Sequence, residues 1–341
     1  MKIPIIESLS TGNRFQDKVK QAKQVLGEDD FYYVKTRTKA EAERIILEEK
    51  NKGNKCYGIF SGDGGIRFII NHYLPQEVVL LIDPKGLSNN LANSLKKECI
   101  EHYYNLSRNH DEKKVNLADY VIKTDAMEVK LGDNQPEFAA STIGVGLTAA
   151  ICYDVENHRK RGSLRKKIHY GAKTIGKKIG FEPMKISYSV NKGEQQGTLE
   201  NILAIEIANG SHIASMPNFN PKDNLNSGFA GLFLLEDKGH WKWTELLFNL
   251  KFFQNTRHIT LPRDARGFNK LGVNYRKIKS LDIRILDGYK DCFLEMDGEP
   301  RRFSAGDEIS VIVKPRALKL VYLPWILGMI SKNSRIYYEE K

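Results

Sequence analysis

Three short turns carry the residues best suited to chemistry, and the first is FSGDGG at 60–65. Gly62, Gly64 and Gly65 would let the backbone approach a phosphate closely, and the N-terminus of the helix that follows would add N–H groups and a partial positive charge. Asp63 could polarise a hydroxyl or bind Mg²⁺. An ordinary turn in which Asp63 caps a helix is the competing interpretation.

A second polar turn occupies DPKGLSNN at 83–90, after the next strand-like segment. Gly86 gives this turn the same backbone freedom, while Ser88 or Asn89 could cap the helix that follows. Because the carboxyl ends of parallel strands meet at one edge of a sheet, we expect the two turns to lie side by side. Together they predict a phosphate cradle.

The third turn lies in LEMDGEPRRF at 294–303. Asp-Gly between two β-like segments indicates a hairpin turn. Asp297 and Glu299, on either side of Gly298, could also present two carboxylates to a cleft. Phosphoryl transfer uses a carboxylate to orient or deprotonate the attacking hydroxyl, and acids to hold Mg²⁺.

Two further glycine-rich segments only approximate known nucleotide motifs. GAKTIGKK at 171–178 has P-loop spacing, but Lys178 replaces the Ser or Thr that would bind Mg²⁺, and the apolar spacing around it is helical. GVGLTA at 144–149 follows a strand-like segment and opens a helix, yet the acid that would bind an NAD ribose about 20 residues later is missing. NADP binding through Gly144 and Gly146 stays open, although close helix–strand packing explains these glycines better.

Alternating strand-like and helix-like segments must position the first two turns. The strand-like segments lie at 3–6, 31–36, 56–60, 78–83 and 119–124, with amphipathic segments between them. This alternation predicts right-handed crossovers and a doubly wound parallel sheet, which binds ligands at the loops after its strands.

After Asp125 the pattern changes to short β-rich segments separated by turn residues, with helical patterns at about 146–180 and 241–250. This change predicts a β-rich sandwich or open barrel. The predicted fold class is therefore α/β followed by β. A nucleotide-binding α/β domain would cover 1–127, a β-rich domain 128–310, and C-terminal strands at 311–341 would return to the first domain.

The charge of the chain is concentrated in one segment. Lys and Arg number 53 against 42 Asp and Glu, a net charge of +11, and residues 157–178 contain nine of these bases and no acid. The rest of the chain is near neutral, which disfavours a general nucleic-acid binder. The four cysteines form no CxxC pair, and the histidines lack zinc-ligand spacing. Without a signal-like or bilayer-spanning segment, we expect a cytoplasmic protein.

Taken in order, the motifs resemble those of one family over nearly the whole chain. SGDGG at 61–65 resembles a GGDGT phosphate loop, and PKGLSNNLANSL at 84–95 resembles P-x-GTGNDFA-x-x-L. FAASTIGVGLTA, ILAIEIANG and MDGEP with ISVIVKPRALKLVYLP match later segments of the same pattern. The set resembles the lipid kinases that comprise diacylglycerol kinases, sphingosine kinases and their bacterial relatives.

The resemblance implies ATP-dependent phosphorylation of a lipid hydroxyl with Mg²⁺, in a cleft between the two domains. It implies Asp297 as general base, with Glu299 and Asp63 also catalytic, and Asp63 and Glu299 as residues that place the metal. The positions implied to contact the nucleotide are Gly62, Asp63, Gly64, Gly65, Gly86, Ser88 and Asn89.

Several positions depart from the family pattern. Gly65 replaces a Thr, Phe68 replaces an acid, and Ser227 replaces the Asp of an Asp-Gly pair. In the second turn the departures are Leu87, Ser88 and Asn90. Fewer acids leave less negative charge for Mg²⁺. A relative that binds nucleotide or lipid with weakened catalysis is therefore the alternative to a kinase, and an NADP-dependent oxidoreductase is a third, less favoured one.

The basic segment 157–178 predicts where the protein would meet its substrate. Lys and Arg near an anionic lipid surface contribute up to about 1 kcal/mol each, although a solvated helix face explains the same charges. The apolar segment LPWILGMI at 323–330 could add a shallow membrane contact, and core packing or a homodimer interface would explain it equally well. The expected partner is a lipid at an anionic membrane surface, and no nucleic acid.

Overall fold

In the computed structural model the chain passes twice between two units, at Thr124–Asp125 and at Pro315–Arg316. Unit 1 comprises Met1–Thr124 with Arg316–Lys341, and unit 2 comprises Asp125–Pro315. The predicted domain bounds lie three and five residues from these crossings.

The structure describes residues 2–8, 30–36, 38–73, 78–84, 89–107, 114–157, 181–210, 224–237, 273–286, 288–289, 292–329 and 335–339. The predicted helix at 241–250, the segment 171–178 and the basic segment from residue 158 onward lie outside these residues.

The elements of unit 1 alternate as the sequence predicts. They are β1 (Ile3–Ser8), β2 (Phe31–Thr36), α1 (Lys39–Asn51), β3 (Cys56–Ser61), α2 (Asp63–Tyr73), β4 (Val79–Pro84), α3 (Asn90–Ser107) and β5 (Lys114–Asn116). In unit 2 or across its bounds lie β6 (Ile122–Leu131), β7 (Glu137–Ala139), β8 (Thr142–Gly146), α4 (Leu147–Asn157), β9 (Met184–Val190), β10 (Gln195–Ala208), β11 (Ala230–Glu236), β12 (Val273–Ile278), β13 (Ser280–Ile285), β14 (Cys292–Met296), β15 (Glu299–Phe303) and β16 (Glu308–Tyr322). The chain then adds α5 (Leu323–Met329) and β17 (Arg335–Tyr337) to unit 1.

The sheet of unit 1 is parallel, in the order β2-β1-β3-β4-β16. Every residue of β3 is buried, as expected for a central strand covered on both faces. The chain moves from β1 outward to β2, then back past β1 to β3 and on to β4, so the direction of the connections reverses between β1 and β3. In open parallel sheets such a reversal is where ligands bind, beyond the carboxyl ends of the strands.

Apolar spacing explains why the helices of unit 1 form where they do. Ile66, Ile69 and Ile70 repeat at three and four residues along α2 and are all buried. In α5, Leu323 and Ile326 are fully buried. The ring of Trp325 lies 6.1 Å from that of Tyr103. For these α5 side chains the structure favours core packing among the three interpretations that the sequence leaves open.

Unit 2 consists of two antiparallel sheets that share the long strand β10. One sheet has the order β15-β14-β8-β10-β11-β12, and the other has β10-β9-β13-β16, with β6 and β7 beyond β16. The register of β10 shifts near Asn201, whose φ is +60°, and this bend lets one strand serve both sheets. A shared core of residues such as Ile143, Ile186, Ile205 and Leu281 fills the unit. The predicted fold class, α/β followed by a β sandwich, is confirmed.

No helix among the described residues is long and apolar enough to cross a membrane.

The hydroxyl of Tyr103 binds the end of β16 within unit 1, and Tyr103→Phe should therefore destabilise the protein. Its buried hydroxyl donates to the carbonyl of Tyr120 at 2.7 Å and accepts from the amide of Tyr322 at 3.2 Å. Removing the hydroxyl leaves both backbone groups without this partner, so we expect the free energy of unfolding to fall by about 1–3 kcal/mol. Denaturant titration measures this change. The control is Tyr188→Phe at a partly exposed tyrosine of β9, and an equal loss in both variants would contradict the prediction.

Candidate functional site

The first glycine turn joins β3 to α2 at the carboxyl end of β3. The carbonyl of Gly62 accepts hydrogen bonds from the amides of Gly65 at 3.1 Å and Ile66 at 3.2 Å, so helical bonding begins at Gly62. The N–H groups that precede the first helical hydrogen bond have no acceptor within a helix, and the helix dipole adds a partial positive charge there. Because β3 lies beside β1, this turn opens at the reversal point of the sheet. The arrangement suits a bound phosphate.

Asp63 connects the two glycine turns. Its backbone begins α2, whereas its carboxylate accepts hydrogen bonds from the amide of Asn90 at 2.9 Å and the amide of Leu91 at 3.3 Å, the first two amides of α3. Asp63 therefore caps a helix, but the next helix along the chain and not its own. The predicted catalytic and metal-binding roles of this carboxylate stay predictions.

The second turn ends at the same edge of the sheet as the first. Ser61 of β3 is in register with Pro84 of β4, so the two strands finish side by side. Asn89 precedes α3 in the left-handed conformation, with φ of +50°, and its carbonyl accepts from the amide of Asn93 at 2.9 Å. Of the positions predicted to line the nucleotide, Gly86 and Ser88 lie outside the described residues, as does Leu87.

Two of the departures from the family pattern make local contacts of their own. The ring of Phe68 packs on His72 one helical turn later, with 4.5 Å between ring centroids. Ser227 closes its own turn, since its hydroxyl donates to the carbonyl of Phe229 at 3.0 Å. The amide of the following Gly228 donates to the buried carboxylate of Asp125 at 2.6 Å.

The third turn is the hairpin that its Asp-Gly sequence indicates. Asp297 and Gly298 link β14 to β15, and both have positive φ, +50° and +82°. These are the conformations of a type I′ turn, which matches the twist of the two strands. Asp297 is only 3% exposed, so its carboxylate depends on protein donors.

Four donors surround the carboxylate of Asp297. Oδ1 accepts from the amide of Ser141 at 2.8 Å, its hydroxyl at 2.6 Å and the amide of Thr142 at 3.0 Å. Oδ2 accepts from the amide of Ala140 at 2.7 Å. The Asp297 amide returns a bond to the carbonyl of Thr142 at 2.9 Å. The carboxylate thus fixes residues 140–142, and Oδ2 is the oxygen with the larger remaining capacity to accept.

The predicted magnesium ligands belong to different units, Asp63 to unit 1 and Glu299 to unit 2. Glu299 is partly buried at the start of β15, opposite Met296. In the described part of the chain, no three His, Cys, Asp or Glu side chains lie close enough together to hold a metal ion. Mg²⁺ commonly uses one or two carboxylates and completes its shell with waters and substrate phosphates. The metal-placing roles of Asp63 and Glu299 stay predictions.

Sequence reasoning missed a pair of glutamates on either side of Gly144. Strand register places Glu206 of β10 and Glu295 of β14 opposite this glycine of β8. A Cβ at position 144 would lie 3.0 Å from Glu206 Oε1 and 3.0 Å from Glu295 Cγ, so these two atoms are within about 6 Å of each other. Glu295 also accepts from the amide of Gly298 at 2.6 Å, which ties the pair to the third turn.

Packing accounts for the glycines of GVGLTA. At Gly144 the missing side chain makes room for the carboxylate of Glu206 and the Cγ of Glu295. Gly146 has φ of +86°, and a Cβ there would overlap Met184 Cε and lie 2.6 Å from the carbonyl oxygen of Leu203. Gly146 therefore requires glycine, and a side chain at Gly144 would press on its neighbours, for reasons that involve no dinucleotide.

Burial makes Glu206 a weaker acid than usual. Desolvation of its carboxylate raises the pKa of Glu206 to about 7, while the neighbouring Thr148 side chain acts in the opposite direction. A second acid, Glu295, lies beside it. A strand pattern alone gives no sign of this, because it does not say which residues of three different strands become neighbours.

We expect Glu206→Gln to flatten the pH dependence of stability. From the ordinary value of 4.5 up to about pH 7 the folded protein holds a proton on Glu206 that the unfolded chain releases, so wild-type stability falls as the pH rises through this window. Glutamine does not titrate. The difference in unfolding free energy between about pH 5 and about pH 8 should therefore be smaller in the variant.

The matched control for this prediction is Glu200→Gln on the same strand. The exposed Glu200 pairs with Lys185 at 2.6 Å, and this hydrogen bond and charge lower the pKa of Glu200, which keeps it ionised throughout the window. A change of pH dependence as large in Glu200→Gln as in Glu206→Gln would show that the effect does not come from the desolvated carboxylate of Glu206.

Asp297→Asn should reduce stability even without any substrate. An asparagine can keep one oxygen for the amides of Ser141 and Thr142, but its NH₂ group would then face the amide of Ala140 at the place of Oδ2. Two donors facing each other leave a buried N–H unsatisfied, so we expect a loss of about 1–3 kcal/mol in unfolding free energy. Calorimetry or denaturant titration measures it, and an unchanged value would contradict the four-donor arrangement.

The comparisons with known proteins concern the fold. No family model matches the chain, and no curated protein matches it. Three solved structures from Bacillus anthracis str. Sterne do match. A diacylglycerol kinase has a TM-score of 0.58 at 14% identity and covers 95% of this chain and 98% of its own. Two candidate diacylglycerol kinases have TM-scores of 0.62 and 0.60 at 17% and 16% identity, also over 95% of this chain and 97% and 98% of their own. The chain has the fold of the bacterial diacylglycerol kinase-like proteins, as the resemblance of its motifs predicts.

Proposed function

We propose that this protein is an ATP-dependent lipid kinase, which transfers a phosphoryl group to the hydroxyl of a diacylglycerol- or sphingoid-like lipid. One observation carries the proposal. The turn at Gly62–Gly65 opens α2 at the carboxyl end of β3, where the connections of the parallel sheet reverse. Backbone amides, helix dipole and sheet topology all favour an anionic ligand at this point.

On the nucleotide side, the first turn would hold the phosphates of ATP. Gly64 and Gly65 add no side chains of their own at the helix end, and Asp63 keeps the start of α3 in place beside it. Asn89, at the start of α3, would line the nucleotide together with Gly86 and Ser88. Mg²⁺, when bound, would neutralise phosphate charge, with Asp63 and Glu299 as the residues to place it.

On the acceptor side, Asp297 would accept the proton of the lipid hydroxyl. A general base has to lie within hydrogen-bond reach of that proton, and its efficiency depends on a fixed orientation. The bonds from residues 140–142 supply the orientation, and they leave Oδ2 of Asp297 as the oxygen with room for one more donor.

For the membrane, we propose docking on anionic lipid through the basic segment 157–178. The argument for it is the charge of the segment, which holds nine Lys and Arg and no acid. From residue 158 onward this segment lies outside the described residues.

The alternative is a protein of this fold that binds nucleotide without turning it over. The observations that favour it are that Phe68 packs on His72 where the family pattern has an acid, and that both oxygens of Asp63 already accept amides of α3. Nucleotide binding with no transfer to any lipid would decide for this alternative.

The deciding experiment incubates the full chain with labelled ATP and Mg²⁺ on anionic vesicles that contain diacylglycerol or sphingosine. We expect a labelled lipid, and a loss of about 100-fold or more in kcat for Asp297→Asn, because removing a general base costs that much. Since this variant is also expected to be less stable, it is assayed at a temperature where circular dichroism shows it folded.

Ser141→Ala serves as the control, because it removes one donor to Asp297 and keeps the carboxylate. We expect it to retain most of the activity. If wild-type protein neither binds ATP nor labels any lipid, the proposed function is wrong. If Asp297→Asn keeps full activity, Asp297 is not the base.

A further inference from the structure

Ser61, the last residue of β3, occupies the space in which a side chain at position 65 would begin. A Cβ added to Gly65 would overlap the Oγ of Ser61 and lie 2.6 Å from its Cβ. Real Cβ atoms do not approach other heavy atoms so closely. Even an alanine at 61 would therefore obstruct a side chain at 65. A side chain at position 61 therefore excludes a side chain at position 65, and only one of the two residues can carry one.

The Ser61 hydroxyl lies where it can meet an anion at the start of α2. Gly65 is the third residue of this eleven-residue helix, and Cα–Cβ bonds in a helix tilt toward its N-terminus. A hydroxyl at the Cβ position of residue 65 therefore lies on the N-terminal side of the first turn. Ser61 is only 7% exposed, and its hydroxyl oxygen is not among the enclosed side-chain atoms of the described residues that lack a partner. A serine hydroxyl can donate one hydrogen bond, and the oxygen of a bound phosphate would accept it.

We propose that the Ser61 hydroxyl donates a hydrogen bond to the phosphate bound at the N-terminus of α2. The inference rests on the proposed function and assigns the residue that completes its phosphate site. In the family pattern position 61 is a glycine and position 65 a threonine, whereas this chain has Ser61 and Gly65. The geometry accounts for the exchange, because the hydroxyl has moved from the helix to the end of the strand while staying near the same point.

The test is isothermal titration of ATP with Mg²⁺ into the wild-type full chain, four variants at positions 61 and 65, and one control variant. Ser61→Ala keeps most of the volume and removes the donor, so its Kd should rise by roughly 10- to 100-fold, as for a hydrogen bond to a charged group. The double variant Ser61→Gly with Gly65→Thr returns the hydroxyl to the helix without overlap. It should bind within about threefold of wild type, a difference of about 0.65 kcal/mol or less.

Two further variants separate the hydroxyl from the packing. Gly65→Thr alone and Ser61→Ala with Gly65→Thr both retain the overlap, so both should bind more weakly than the Ser61→Gly, Gly65→Thr pair and unfold at a lower temperature. Ser280→Ala, at a buried serine of β13 in unit 2, is the matched control and should bind ATP like wild type.

The outcomes distinguish this inference from the proposed function. If wild type binds ATP and folded Ser61→Ala binds it equally well, the inference is wrong and the proposed function stands. If wild type binds no ATP, both are wrong. If Ser61→Ala unfolds, the double variant Ser61→Gly with Gly65→Thr still decides. ATP binding by this double variant supports the inference, because its hydroxyl has returned to the helix. If the double variant is folded and does not bind ATP, the inference is wrong.

Discussion

The hydrogen bonds that the first amides of α3 donate to the carboxylate of Asp63 hold together the part of unit 1 on which any phosphate chemistry depends. Asp63 belongs to the turn after β3, and Asn90 and Leu91 belong to the helix after the turn that follows β4. Without this carboxylate, the start of α3 would lose a cap as well as the favourable interaction of a negative charge with its dipole. A charge placed there aligns two helix N-termini at one edge of the sheet. The motif would assign Asp63 to catalysis, but the contacts that its carboxylate makes in this structure stabilise the start of α3.

In unit 2, the turn of the β14–β15 hairpin likewise contains a carboxylate that accepts hydrogen bonds from backbone amides. Asp297 accepts three successive amides from 140–142 and the Ser141 hydroxyl, and so holds the segment between β7 and β8 against the β14–β15 hairpin. In both units an acid beside a glycine in a tight turn reaches across to backbone N–H groups of a distant segment. The sequence spacing of such an acid indicates a turn, but the partner that it binds depends on tertiary structure.

This difference decides how much of the molecule could be predicted. The alternation of strand-like and helix-like segments predicted the parallel sheet, because both periodicities are local properties of the chain. Asp-Gly predicted the hairpin at Asp297 for the same reason. The glutamate pair around Gly144 could not be predicted, since Glu206 and Glu295 become neighbours only through the registers of three antiparallel strands. The overlap between side chains at positions 61 and 65 could not be predicted either, because it depends on the angle between β3 and α2.

The departures from the family pattern have different physical meanings once their contacts are known. At Ser227 an acid is lost from the motif, yet Asp125 meets the amide of Gly228 and Ser227 closes the turn itself, so the local structure is stabilised by other groups. At Phe68 the replacement packs on His72 and supplies no charge. A motif position that has changed can therefore preserve a turn, exchange a group with a neighbour or remove a charge. Only the third kind weakens the case for metal-dependent chemistry. Among the described positions it applies to Phe68 and to Asn90, each of which stands where the family pattern has an acid.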